Sequence, residues 1–261
     1  MVHGFGSNAD VWFSHEKSLG NYFKKEGFDC WSLDLSSDVV GNIETLAHED
    51  LLTAINFIYG KKKEKILIIT HSMGGIITRV FTSPHFTHPY PLNKIEKMIK
   101  GIALLTVPNH GVEIGDISKI QDTVNTIRKL MKSNQKPIKS DFGLGFAQLT
   151  HKSKLIKALN QPLVLNPNFS WLNAVGIYDR IVPKKSALFS DLEMEKIPNI
   201  IQREFDCDHM VYPLASTLKK VMKVTSSLFD AKKLDSKFVI YPVVHRYQEV
   251  GEWILSHFIP K

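Results

Sequence analysis

Residues 65–70, K-I-L-I-I-T, are apolar and mostly β-branched behind a single lysine, and the glycine-bearing segment T-H-S-M-G-G at 70–75 follows at once. A strand this apolar has no face to give to water, so it must be covered on both sides, the situation of a central strand in a parallel sheet. Parallel strands need crossover connections, and helices supply them. The rest of the chain keeps that pattern. Phe28 to Leu33 reads as a strand, and residues 42–59 then place Ile43, Leu46, Ala47, Leu51, Ala54, Ile55 and Ile58 on one helical face. Residues 74–82 read as a helix ended by Pro84, and Gly101 to Thr106 as the next strand. Leu172 to Ile177 and Ile200 to Phe205 read as two further strands, and Val250 to Phe258 as a closing helix. The expected fold is α/β, a mostly parallel central sheet flanked by helices.

After Pro108 the alternation lapses for about fifty residues and offers only two amphipathic stretches, near 115–132 and 144–159, around the polar segment S-N-Q-K-P-I-K-S. Helices without a strand between them read as an insertion, so the chain is expected to be one domain, 1–261, with an inserted helical cap at about 109–165. The length of 261 residues is within the range of a single α/β unit. Apolar runs such as Ile66–Ile69 and Gly101–Val107 fall far short of the roughly 18 residues that cross a bilayer.

The net charge of +7 raises the question of a polyanionic partner. The lysines, however, are scattered in short groups, at Lys61–Lys63, Lys152–Lys157, Lys184–Lys185 and Lys219–Lys223, without interleaved aromatics. That is a solubilising surface, and no nucleic-acid partner is expected. Cys30 and Cys207 make no disulfide framework, and nothing has metal-ligand spacing, so neither metal nor organic cofactor is expected. With no charged-then-apolar leader before the first motif, the chain reads as cytoplasmic.

T-H-S-M-G-G lies directly after the most apolar strand and directly before a helix. A nucleophile elbow requires that setting, because a sharp strand-to-helix turn presents a serine hydroxyl at the carboxyl edge of the sheet. Ser72 is the candidate nucleophile; Gly74 lets the helix approach, and Thr70 stands where glycine is usual. Serine needs a base, and the base needs a third group to hold its tautomer. Those partners follow in the order serine, acid, histidine, each after a later strand. Asp179 in V-G-I-Y-D-R-I-V-P and His209 in F-D-C-D-H-M stand at those places.

Other histidines compete. His71 should point away from Ser72 by strand alternation and reads as structural, His110 lies in a loop near the same edge, and His245, just before the last helix, is the main rival to His209 as the base. Asp206 and Asp208 read as loop or supporting residues. Acyl transfer also needs backbone N–H donors for a developing oxyanion. Met73, next after the serine, is one candidate, and Phe5 in V-H-G-F-G is the other.

The segments V-H-G-F-G-S, H-S-M-G-G, L-L-T-V-P-N-H-G and Y-D-R-I-V-P resemble the α/β-hydrolase superfamily, specifically its bacterial-type lipases and related serine esterases. The stretch Q-L-T-H-K-S-K-L-I-K-A-L-N at 148–160 resembles a cap-region pattern of those lipases. The resemblance implies hydrolysis of carboxylic esters through Ser72, Asp179 and His209, with the Phe5 and Met73 amides as the oxyanion hole. It departs from the usual pattern at Thr70, in the long segment between His209 and the last helix, and in a start that falls inside the third strand of the usual fold. Ile114, Ile117, Ile120, Val124, Phe142, Leu144 and Phe146 would either line an acyl pocket or pack the insertion onto the body.

The expected substrate is a small ester or a lipid, with peripheral contact at a lipid interface. Thioester, phospholipid and acyl-acceptor chemistry remain open on the same site, as does a hydrolase-like scaffold that only binds.

Overall fold

The computed structural model describes residues 1–36, 41–113, 144–161, 165–179, 181–197, 199–209, 244 and 247–259. Four strands, β1 (Ile66–His71), β2 (Ile99–Leu105), β3 (Ser170–Gly176) and β4 (Ile200–Phe205), lie side by side in chain order, and every pairing is parallel. Their registers align His71 with Leu105, Leu105 with Ala174, and Gly176 with Phe205, so the four carboxyl ends open on one edge.

Strand residues alternate between two cores, as side chains of a pleated strand must. Ile68, Ile102, Leu104, Trp171 and Val175 face one core. Ile69, Ala103, Leu105, Leu172 and Ala174 face the other. The second core is closed by α1 (Leu19–Lys25) and the last helix, α10 (Gln248–Phe258), through Leu19, Phe23, Val250, Trp253, Ile254 and Phe258. Gly101 on β2 makes room for that closure, since a Cβ there would stand 2.0 Å from a Phe258 ring carbon.

The first core is covered by α2 (Ile43–Thr45), the π-helical turn Leu46–Leu51, α3 (Leu52–Lys62) and α4 (Met73–Thr82). The helix expected over 42–59 is thus present but carries a π turn. Ile43, Leu46, Ala47, Leu51 and Ile55 are buried as expected, whereas Ala54 and Ile58 are only half-buried. α4 is buried at all ten residues, which fits a helix following the central strand of a covered sheet.

The expected strand Phe28–Leu33 needs correction. Its one ladder contact is a bridge from Leu33 to Val2, which itself bridges to Thr70 of β1. Val2 donates to Ile69 O and accepts from His71 N, so residues 1–2 insert between the 28–33 segment and β1.

The helix expected over 144–159 is two helices, α6 (Leu144–Gln148) and α7 (Lys154–Asn160), preceded in the chain by α5 (Leu92–Met98). Ser153 breaks it: its hydroxyl accepts from Ile156 N and donates to Gln148 O, capping the second helix and closing the turn after the first. The helix expected near 115–132, with Ile114, Ile117, Ile120, Val124 and Phe142, lies outside the described residues. Two short helices, α8 (Lys184–Ala187) and α9 (Asp191–Met194), join β3 to β4. No helix among the described residues is long and apolar enough to cross a membrane.

A buried polar knot ties these parts behind the carboxyl edge. Arg79 of α4 donates to Asn109 O at 2.8 Å, Leu159 O at 3.1 Å and Asn160 Oδ1 at 3.0 Å. Its guanidinium also lies over the Phe189 ring. Asn109 and Asn173 both donate to Ala187 O, and Asn173 also donates to Gln202. Burial lowers the Arg79 pKa to about 9, which leaves the group cationic at neutral pH. Replacing Arg79 with Met should remove the Arg79 donor from Leu159 O and Asn160 Oδ1 and one of two donors from Asn109 O, and cost about 3 kcal/mol. An unchanged urea midpoint would show that the knot contributes nothing.

Candidate active site

Ser72 sits between β1 and α4 at φ 53°, ψ −127°, in the left-handed region that a side chain rarely adopts. The turn is fixed from both sides: Ser72 N donates to Leu105 O at 3.1 Å, and Ser72 O accepts from Gly75 N at 2.9 Å. Three glycines let backbone crowd around it. A Cβ on Gly4 would stand 2.7 Å from Ser72 Cβ, one on Gly74 would stand 2.5 Å from His3 O, and one on Gly75 would stand 2.1 Å from a Val107 methyl. Gly4 and Gly74 therefore serve one close contact between the residue 2–5 segment and the start of α4, and Gly75 lets α4 approach Val107 after β2. Thr70 is accommodated because its hydroxyl donates to Ala103 O on the neighbouring strand at 3.1 Å.

Phe5 and Met73 each follow a residue of that contact, Phe5 after Gly4 and Met73 after Ser72. His3 braces the segment in one tautomer, its Nδ1–H donating to Gly4 O while its Nε2 accepts from Leu35 N. The Phe5 ring packs on Phe146 of α6, with centroids 4.6 Å apart. Of the side chains proposed to line a pocket or pack the insertion, Phe146 is buried against Phe5 and Leu144 is exposed.

Asp179 and His209 come together. Asp179 Oδ2 accepts from His209 Nδ1 at 2.8 Å, with both side chains almost wholly buried. Asp179 Oδ1 accepts from the backbone of Ile181 and Val182 at 2.8 and 2.7 Å, which pins the carboxylate. Because Nδ1 of His209 donates to a carboxylate, Nε2 of the neutral ring is left as its acceptor. The histidine is also held at its backbone, where His209 N donates to the buried Asp208 Oδ1 at 2.7 Å. Asp208 is thus a supporting residue, as expected.

Cys207 is buried here too. Its thiol pKa is driven well above the ordinary range, by burial first and then by the carboxylates of Asp179, Asp208 and Asp206. It is a packed, protonated thiol.

His71, expected to point away from Ser72 by alternation, has its ring 4.5 Å from the His209 ring, tilted by 45°. Alternation holds only within a strand, and Ser72 has left the strand with a positive φ. His110 is drawn away, its Nε2 bonding Leu188 O and its ring meeting Phe189. His245 lies outside the described residues. Among the described residues there is no group of three or more histidine, cysteine or acidic side chains placed to hold a metal.

A proton held between His209 Nδ1 and Asp179 should give an NMR line far downfield of the amides. Asp179→Asn should abolish that line, and its persistence would mean that the proton belongs elsewhere.

The profile of the PGAP1-like alpha/beta domain family matches residues 2–156, which carry Phe5, Ser72 and Met73. Among curated proteins, "Triacylglycerol lipase 1" of Arabidopsis thaliana is 27% identical over 132 residues, covering 40% of this chain and 29% of that protein. The chain therefore matches less than a third of that relative's length. Among solved structures, a serine hydrolase from Cycloclasticus zankles superposes with a TM-score of 0.53 at 18% identity, covering 90% of this chain and 89% of that one. The mature lipase of Bacillus licheniformis gives 0.53 at 15% identity, with 86% and 89% covered. Lipase B of Aspergillus fumigatus gives 0.54 at 13% identity, with 78% and 43% covered. At these identities the shared property is the fold, and it is the α/β-hydrolase fold that the motifs resemble.

Proposed function

The chain belongs to the PGAP1-like alpha/beta domain family, and on that footing we propose that it is a serine hydrolase of carboxylic esters, lipase- or esterase-like, acting through Ser72, His209 and Asp179. The observation that carries this reading is the buried Asp179–His209 pair, at 2.8 Å, on the sheet edge where Ser72 is held in its left-handed turn. A carboxylate bonded to Nδ1 fixes the tautomer whose Nε2 takes a proton, which is the property a serine nucleophile needs from its base.

In this reading Ser72 Oγ attacks the ester carbonyl as His209 Nε2 accepts its proton. The Phe5 and Met73 amides receive the oxyanion, and the alcohol leaves with the proton from His209. Water, activated by the same imidazole, then hydrolyses the acyl-enzyme. The chemistry calls for neither metal nor organic cofactor. The described part of the insertion, α6 and α7, supports a cap reading in that α6 touches Phe5 directly. The substrate is a small ester or a lipid, met in solution or at a lipid interface.

A fluorophosphonate probe should label the wild-type chain, and Ser72→Ala should remove both labelling and ester turnover. The expected loss in kcat is about 10⁴-fold or more. Equal labelling of Ser72→Ala, or none of the wild type, would sink the reading. Turnover on matched oxygen esters and thioesters should favour the oxygen ester, and His209→Ala should abolish labelling where His245→Ala does not.

A further inference from the structure

We propose that His71 is a positioning residue for His209: its ring is the platform that sets the plane of the base, tied by one peptide bond to Ser72. The proposal deepens the hydrolase reading and rests on it for its kinetic consequence, but its geometric content stands alone. A single hydrogen bond at Nδ1 fixes one atom of the His209 ring and leaves the ring free to pivot about it. A second contact, against a face, is needed to aim Nε2. The His71 ring supplies such a contact, its centroid 4.5 Å from that of His209 and its plane tilted by 45°, with both residues buried.

The position of His71 in the chain gives the contact its meaning. His71 ends β1, and its backbone N–H bonds Val2 O at 3.0 Å, so its main chain is locked into the sheet. Gly4 lies against its other side: a Cβ added there would stand 3.2 Å from His71 O and 3.3 Å from His71 Nδ1. One residue thereby touches the H-G-F-G segment, adjoins Ser72 and backs His209. Any small displacement of the turn carries the nucleophile and the platform of its base together, keeping the distance between them in register.

The charged and titratable groups around the two rings include, among the described residues, Asp179 at His209 Nδ1, Asp208 at the His209 backbone N, and Cys207, whose thiol both carboxylates act on. When His209 becomes an imidazolium, Asp179 opposes the charge at Nδ1, and the aromatic ring of His71 meets it from the side. The role asks for an aromatic ring at 71 and not for a particular ring nitrogen.

The test therefore compares His71→Phe, which keeps a ring, with His71→Asn, which keeps polar side-chain atoms and loses the face. His71→Phe should retain kcat within about threefold, and His71→Asn should lose roughly ten- to a hundredfold in kcat with KM nearly unchanged, the scale of a misaimed catalytic group. In parallel, the downfield His209–Asp179 proton should stay sharp in His71→Phe and broaden or shift in His71→Asn. Equal loss in both variants, loss in His71→Phe alone, no loss in either, or an effect confined to KM would each overturn the proposal. If the wild type proves unreactive to fluorophosphonate, the hydrolase reading fails. The NMR line then decides the platform by itself, and an unmoved line in His71→Asn would refute it.

Discussion

A serine held at φ 53° costs conformational energy, and the structure keeps it there by surrounding it with backbone that has nowhere else to go. The parallel register puts Leu105 O opposite Ser72 N, and the first turn of α4 brings Gly75 N to Ser72 O. Both bonds depend on α4 sitting close to the sheet. That closeness depends in turn on Gly74 and Gly75, where a methyl group would strike His3 O and Val107. Residues 2–5 are then packed against the same turn through Gly4. The H-G-F-G segment, the turn and the start of α4 are therefore one mechanical unit, and the position of every candidate site residue on β1 follows from it.

The second unit is built from the ends of β3 and β4. Asp179 is locked by two backbone N–H groups, His209 by Asp179 and Asp208, and Tyr178 N by Cys207 O. Gly176 keeps the two strand ends close, since a Cβ there would meet Cys207 O at 2.7 Å. Between the units lies Thr106 at the end of β2, a second non-glycine residue with positive φ, whose N–H bonds Ala174 O. Adjacent strand ends thus leave the sheet through positive-φ residues, Ser72 and Thr106, while the other such non-glycine residue among those described, Lys63, ends α3.

Much of this was legible in the sequence, for identifiable reasons. K-I-L-I-I-T announces a covered strand because nothing in it tolerates water, and S-M-G-G announces a tight helix approach because its glycines have no other use there. Asp179 and His209 were found by their order after strands, which parallel topology converts into proximity. The missed features depend on contacts between distant residues. Phe28–Leu33 has strand-like composition, but its pairing with Met1 and Val2 depends on residues some thirty positions away. The break in the 144–159 helix could have been read from Ser153, a strong N-cap within an amphipathic run. The contact of His71 with His209 is invisible in the sequence because it joins residues 138 positions apart. Arg79 looks like any helical arginine until its carbonyl partners, thirty and eighty residues away, are brought to it.

The local electrostatics run against the sign of the whole chain. A protein of net charge +7 places Asp179, Asp208 and Asp206 near the buried Cys207 thiol, and two of them, Asp179 and Asp208, hold His209. Burial, and then those carboxylates, raise the Cys207 thiol far above neutrality, which removes a latent nucleophile near the site. The arrangement also fits the proposed reaction. An imidazolium appears transiently at His209, where the Asp179 carboxylate already stands against Nδ1. That one bond therefore both opposes the charge of the proposed intermediate and pins the tautomer that accepts at Nε2.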